Sequence, residues 1–402
     1  GLLIERFRGT RAGKAFLVSS VCFSLAPLLL FKYADFFIGN LNALGASLPL
    51  LKLTLPIGIS FYTFQILSYT VDVARGTAKA QRNFIDLATY ISLFPQLIAG
   101  PIVRYTDVAA ALHARSHSAE AVGSGALRFT IGLGKKVLLA NLLGELCAAL
   151  KTAEASVLGS WGYAAALCLQ IYYDFSGYSD MAIGLGTMLG FHFPENFNYP
   201  FISQSATEFW RRWHITLGSW FRDYVYIPLG GSRAGAWKQV RNILIVWCLT
   251  GFWHGASWNF VAWGLFFGVL LIAEKLLLGH ALEKMPRVLR HLYLLLAALV
   301  SFLIFDAASL PEAGRAIAGL LGGAPLTSAA GLYSLKSYFV ILLLAALGAT
   351  PLPKAAVARI SATRAGGKLV SILTPLFMAA LLLVCTAYLV DGSFNPFLYF
   401  RF

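Results

Sequence analysis

A chain of 402 residues would ordinarily form two or three soluble domains, but 58% of this one is hydrophobic, only 12% is charged and its mean hydropathy is +0.70. Soluble proteins carry about 25% charged residues, so the composition excludes a soluble globular protein and turns much of the surface toward a lipid bilayer. The net charge of +14 reads as basic cytoplasmic loops. No basic run is interleaved with base-stacking aromatics, which argues against nucleic acid as a partner.

The chain opens at Gly1 on a basic segment, with neither Met nor a signal peptide, and further hydrophobic segments are expected upstream. The first apolar run able to cross about 30 Å of hydrocarbon is 15–31. Runs 53–73, 84–100 and 127–150 are less regular, each with Pro, Gly, Lys or Asp at membrane depth. Irregular backbone survives there only inside protein or beside a wet cavity. Run 156–173 is apolar, but the tract Tyr172–Met181 then crowds Asp174, Ser176, Tyr178, Ser179 and Asp180 together. It predicts a helix break with satisfied polar caps, or else the lining of a polar acceptor path.

Segment 203–229 differs in kind. Ser205 reads as an N-cap with Glu208 three residues later. Phe209, Trp213, Leu217 and Trp220 recur at spacings of three to four while Arg211, Arg212 and Arg222 stand elsewhere, the pattern of an amphipathic helix at a membrane face. Two readings of its arginines stay open: a snorkelling face on anionic lipid, or cations for the phosphates of a nucleotide-bearing donor. The turn at Gly230-Gly231 is expected to expose backbone N–H groups to an anion. His214, beside Trp213, reads first as a packing or hydrogen-bonding residue.

Span 240–257 carries His254 within Gly251-Phe-Trp-His-Gly255. Thirteen residues beyond Arg241, this imidazole lies about 20 Å deep at 1.5 Å per residue. An ionisable group at such depth is costly and marks function by default; the competing reading is a neutral ring hydrogen-bonded to a neighbouring helix. Gly251 and Gly255 fit either close approach of a ligand or backbone or ordinary small-residue helix packing.

The remaining spans are 258–274, 289–305, 333–347 and 369–390. Loop 350–368 holds Lys354, Arg359, Arg364 and Lys368 with no acid, so it is expected inside; working backward, 306–331 falls outside and both 284–290 and 211–241 fall inside. Most of the nine tryptophans are expected in interfacial belts. The five cysteines lie in apolar stretches without paired spacing, neither a disulfide framework nor a metal site. With no internal repeat, residues 1–402 read as a single all-α polytopic membrane domain of about eight to eleven transmembrane or re-entrant helices.

Several strings together resemble the membrane-bound O-acyltransferase family, in its bacterial branch that acetylates polysaccharides such as alginate. They are Pro56-Ile-Gly-Ile-Ser-Phe-Tyr-Thr-Phe-Gln65, Phe94-Pro-Gln-Leu-Ile-Ala-Gly-Pro101, Asp174-Phe-Ser-Gly-Tyr-Ser-Asp-Met-Ala-Ile-Gly184, Pro194-Glu-Asn-Phe-Asn198, Glu208-Phe-Trp-Arg-Arg-Trp-His214, Trp253-His-Gly255 and Asn395-Pro-Phe-Leu-Tyr-Phe-Arg-Phe402. One departure is Asp306, where the resemblance leads us to expect an Arg. The resemblance implies a multi-pass protein of the bacterial cytoplasmic (inner) membrane, built around a central tunnel. It implies acetyl-CoA as a donor substrate with no permanently bound cofactor, a polysaccharide acceptor, and an extracytoplasmic acetyltransferase as partner. The family's essential histidine falls on His254 and its second signature histidine on His214.

Acyl transfer from a thioester to a hydroxyl needs a base for the proton and donors for the developing oxyanion. An imidazole suits the base role, so His254 is expected to take the acceptor proton in a single displacement, with His214 at the tunnel or its entrance and Arg211, Arg212 and Arg222 steering the CoA phosphates. The alternatives are transfer of D-alanine from a carrier-protein thioester to a cell-wall polymer, a transporter with a mid-membrane histidine relay, and a scaffold for a partner enzyme.

Overall fold

The structure, a computed structural model, describes residues 1–233 and 235–392; the string Asn395–Phe402 lies outside the described residues. Every regular element among these residues is helical, as the composition requires of a chain that must satisfy its backbone without water. The main helices are α1 (Arg11–Leu28), which runs through a π-helical turn (Leu29–Tyr33) into α2 (Ala34–Ala43), and α3 (Ile59–Arg75). Helix α4 (Ala119–Gly134) likewise continues through a π turn (Lys135–Ala140) into α5 (Asn141–Thr152), followed by the 32-residue α6 (Val157–Met188). Then come α7 (Ala206–Arg212), α8 (Ile215–Phe221), α9 (Ala236–His254), α10 (Trp258–Ala273) and α11 (Arg287–Asp306). The chain ends in α12 (Leu310–Leu321), α13 (Ala329–Ser337), α14 (Phe339–Gly348), α15 (Leu352–Ser361) and α16 (Arg364–Asp391).

Four helical stretches, Arg11–Ala43, Trp258–Lys284, Arg287–Asp306 and Arg364–Asp391, are long and apolar enough to cross a membrane, and α13 with α14 makes a fifth if its 55° bend interrupts one span. Their outer faces stay bare, with Phe23, Leu383 and Val390 all exposed, because lipid tails replace a protein partner. Helices α3, α4–α5, α6 and α9 have comparable length but carry polar and charged groups toward the interior. Together these elements fall within the expected eight to eleven.

Helix α6 corrects one expectation. The tract Tyr172–Met181 does not break the helix; it is continuous through Met188. Its carboxylates need no cap because the neighbouring α4–α5 element supplies cations. Asp174 pairs with Lys136, and Asp180 accepts from Lys135 at 2.7 Å and from Arg128 at 2.9 Å. Small residues let the helices come close enough for this: a Cβ on Gly132 would meet Gly177 O at 2.6 Å, and one on Gly184 would meet Gly125 O at 2.6 Å.

The tryptophans correct another. Trp213, Trp220, Trp247, Trp253 and Trp263, five of the nine, are buried and do not form an interfacial belt. Their rings fill the space between the crossing helices: Trp213, Trp247 and Trp263 join Phe209, Phe267 and Phe302 in the largest apolar cluster. Aromatic pairs of this kind contribute about 0.5–1.5 kcal/mol each beyond the area they bury.

Lys151 at the end of α5 donates to Asp306 at 2.7 Å, Tyr163 on α6 donates to the same carboxylate at 2.5 Å, and Val157 N donates to Pro325 O at 3.0 Å. The junction of α5 and α6 therefore lies beside segment 306–331, the side that the Lys/Arg count makes external. Asp306 serves this junction.

Candidate active site

Helix α9 is continuous from Ala236, so the thirteen residues from Arg241 to His254 rise about 20 Å, as read from the sequence. The helix stops because Gly255 is extended (φ −167°, ψ 155°), and α10 starts three residues later. A Cβ on Gly251 would lie 2.2 Å from Phe260 O and one on Gly264 would lie 2.2 Å from Trp247 O. The neighbour that these glycines admit is thus the backbone of the paired helix. The hairpin is pulled tight, and His254 sits at its tip, 7% exposed. Its ring packs edge-on against Trp263 (centroids 4.9 Å apart, 85°) and Phe305 (5.3 Å, 83°), and against Trp253 at 4.9 Å.

A helix end buried in a low-dielectric interior leaves carbonyls that need donors. Here α1 and its π turn supply them. Lys32 Nζ donates to Trp253 O at 2.7 Å and to His254 O at 3.1 Å, and Tyr33 OH donates to Phe252 O at 2.7 Å. The ring of Tyr33 stacks on Phe252 at 4.1 Å.

The second histidine lies across Trp253, whose ring is 6.1 Å from that of His214. The amphipathic segment expected as one helix is broken at this point. The Ser205 cap is present, accepting from Glu208 N at 3.0 Å, but α7 ends at Arg212, and His214 takes a left-handed conformation (φ 44°, ψ 52°) before α8. For a residue with a Cβ this is strained, and such strain collects at functional sites. Asn196 holds the break: its backbone carbonyl accepts from Ile215 N at 3.0 Å, and its Oδ1 accepts from Thr216 Oγ1 at 2.8 Å. The same Oδ1 faces His214 Nδ1 at 3.1 Å. An acceptor there requires that Nδ1 carry the proton, which leaves a lone pair on Nε2. Nε2 is buried with no hydrogen-bond partner among the described residues.

A cavity of about 580 Å³ opens on the face assigned to the inside, lined among others by Trp210, Arg211, Arg222, Tyr226, Trp247 and Thr250. Thr250 is one turn before His254 on α9, about 6 Å along the axis. Of the three arginines singled out in the sequence, Arg211 and Arg222 meet at this cavity. Arg212 turns away, donating to Glu208 Oε1 at 3.0 Å and to Asn198 O at 3.2 Å. Arg222 is joined by Arg104, both donating to Asp223 at 2.7–2.8 Å. Burial raises the Asp223 carboxyl, but the hydrogen bonds from Arg222 and Arg104 outweigh it and hold the group below its ordinary value. Arg75 adds a third cation through Asp223 O at 3.0 Å. The mouth keeps an excess of positive charge.

Three residues here escaped the sequence reading. Glu274 is buried and caps the start of α7, accepting from Ala206 N, Thr207 N, Thr207 Oγ1 and Tyr293 OH; its one signal was an acid closing an apolar span. Asn196 belongs to a string quoted for the resemblance, without an assigned role. Lys32 follows run 15–31 directly, a lone cation between apolar stretches.

Residues 17–310 match the membrane-bound O-acyltransferase family. The chain is 39% identical over 430 residues to a protein of Azotobacter vinelandii named "Probable alginate O-acetylase", covering 98% of this chain and 86% of that one. It is 33% identical over 343 residues to the peptidoglycan O-acetyltransferase of Helicobacter pylori (77% and 65% covered). It is 29% identical over 232 residues to the teichoic acid D-alanyltransferase of Bacillus subtilis (54% and 58% covered). With the all-helical architecture and its membrane-spanning stretches, this establishes the chain as a multi-pass membrane O-acyltransferase, a member of the membrane-bound O-acyltransferase family.

Proposed function

We propose that this enzyme carries an acetyl group from cytoplasmic acetyl-CoA to a hydroxyl of an extracytoplasmic polysaccharide, or to a partner acetyltransferase on that side, in the bacterial inner membrane. The observation that supports it best is one cavity lined both by Arg211 and Arg222 and by Thr250, which stands one turn before His254 on α9. A donor with phosphates at one end and a thioester at the other suits a cavity that offers both arginines and aromatic rings. Arg211 and Arg222 bind the phosphates; Arg212, already paired with Glu208, acts through its hold on α7. His254 takes the proton from the acceptor hydroxyl as its oxygen attacks the thioester carbonyl. The C–O bond forms, the C–S bond breaks, and the proton leaves with the CoA thiol. General-base help of this kind contributes about 10²–10⁴-fold. His214, with Nε2 facing the interior, lines the passage that brings the two substrates together.

The O-acetylating relatives favour acetyl as the group and a polysaccharide of the alginate kind as the acceptor; the D-alanyl-transferring relative keeps a carrier-protein donor as the second reading. Purified full-length chain in proteoliposomes, offered radiolabelled acetyl-CoA or a carrier protein charged with labelled D-alanine, separates the two. Label is expected to leave acetyl-CoA. Consumption of the charged carrier alone would overturn the acetyl assignment, and acyl-independent solute flux that survives replacement of His254 would mark a transporter.

A further inference from the structure

We infer that Lys32 and Tyr33 form a positioning clamp that sets the height and direction of His254 by capping the carbonyl end of α9. The inference rests on the assignment of His254 as the base. An ammonium has three N–H donors, and Lys32 Nζ has three acceptors: Trp253 O at 2.7 Å, His254 O at 3.1 Å and Ser60 Oγ at 3.3 Å. Its valence is filled by the backbone of the residue to be positioned, that residue's neighbour, and the first turn of α3. No carboxylate pairs with Lys32 among the described residues. What balances its charge is the negative end of the α9 dipole, equivalent to roughly half an elementary charge.

Local geometry explains why two consecutive residues reach one helix end. In an α-helix, neighbours point about 100° apart. Lys32 and Tyr33 lie in the π-helical turn Leu29–Tyr33, where the extra residue changes that direction; such bulges recur at functional sites. Tyr33 OH meets Phe252 O at 2.7 Å, so three successive carbonyls, 252 to 254, are held from one side. Trp253 Nε1 donates to Ser60 O at 3.3 Å, closing a triangle between α1, α3 and α9. Around it Leu28, Tyr33 and Ile59 pack with Phe252 and Ala256, the only buried apolar cluster of the described residues that joins the π turn to the α9 tip. The span Arg11–Ala43 packs along α3 through α1, with Phe16, Leu17, Val21 and Leu25 against buried clusters, and here it is tied to the tip of α9 as well.

The clamp acts on the reacting geometry and not on the donor cavity, whose lining excludes both residues. A displacement of about 1 Å at a catalytic group costs on the order of 10²-fold in rate. The test uses the full chain in proteoliposomes with radiolabelled acetyl-CoA as donor and alginate as acceptor. Lys32→Met is expected to lower kcat on the order of 10²-fold while leaving KM for acetyl-CoA unchanged. Lys32→Arg, which keeps charge and donors, is expected to recover part of that loss. Tyr33→Phe deletes one hydroxyl and nothing else; loss of its hydrogen bond predicts a roughly fivefold lower kcat, and this milder variant decides the matter if Lys32→Met does not fold. Wild-type kcat in Tyr33→Phe and in any folded Lys32→Met protein overturns the inference, as does a rise in KM with kcat unchanged. His254→Ala in parallel keeps the two ideas apart: an active His254→Ala enzyme removes the base assignment itself, whereas an inactive one beside fully active clamp variants removes only the clamp.

Discussion

His214 and His254 flank one tryptophan, yet the chain holds them by opposite means. His214 is fixed through its ring: Asn196 faces Nδ1 at 3.1 Å, and a left-handed backbone turns the side chain inward. His254 is fixed through its main chain, with Lys32 on its carbonyl and glycines drawing α9 against α10. A ring whose Nδ1 faces an amide oxygen is set in one tautomer; an anchor on the main chain fixes the height of a ring and leaves its protonation to other contacts. The proposed roles follow that division, with His254 moving the proton and His214 lining the site in one fixed tautomer.

The largest way to break the contrast is to push apart the hairpin that carries His254. At Gly264 a Cβ would stand 2.2 Å from Trp247 O and 3.1 Å from Gly251 N, backbone that cannot rotate aside. Gly264→Val should therefore lower the thermal midpoint and cut acetyl transfer on the order of 10²-fold. Gly314→Ala on α12, with nothing within 4 Å of the new methyl, should change neither, as read by thermal shift and labelled-acetyl transfer.

A smaller effect is expected on the other side of Trp253. Asn196→Leu removes the acceptor shared by His214 and Thr216 and the donor to Ser179. It should cost about 1–3 kcal/mol of stability and reduce transfer less than loss of His254 does. If Asn196→Leu abolishes transfer in well-folded protein, His214 is more than a wall. The mildest change concerns the cavity mouth. Arg211→Ala should raise KM for acetyl-CoA a few-fold with kcat unchanged, an effect that fades as salt screens the phosphates. Arg212→Ala should leave KM unchanged, because its side chain does not line the cavity and serves Glu208 and Asn198 instead. Equal KM shifts in both would sink the distinction drawn between them.

What the sequence discloses follows the range of each interaction. The apolar runs, the Ser205 cap and the helix that carries His254 away from Arg241 are local or periodic, and they read directly. The pairing of Asp174 with Lys136 and of Asp180 with Arg128 joins residues far apart in sequence, so a polar tract inside a straight helix looked like a break. The left-handed His214 looked like one more residue of an amphipathic helix because its cause, Asn196, sits eighteen residues upstream. Tryptophans that fill the gaps between crossing helices looked like belt residues for the same reason. Lys32 was hardest of all, since two of its three acceptors lie more than 200 positions away and a lone Lys at the end of a span reads as a snorkelling cation.

The central claim is that the imidazole of His254 performs the proton transfer, and one measurement reaches it directly. Wild-type and His254→Ala chains, matched for abundance and thermal midpoint, are given radiolabelled acetyl-CoA on the inner side of proteoliposomes and acceptor polymer on the outer. The account predicts label in the polymer for wild type and a loss of about 10²–10⁴-fold for the variant; equal labelling by both would contradict it.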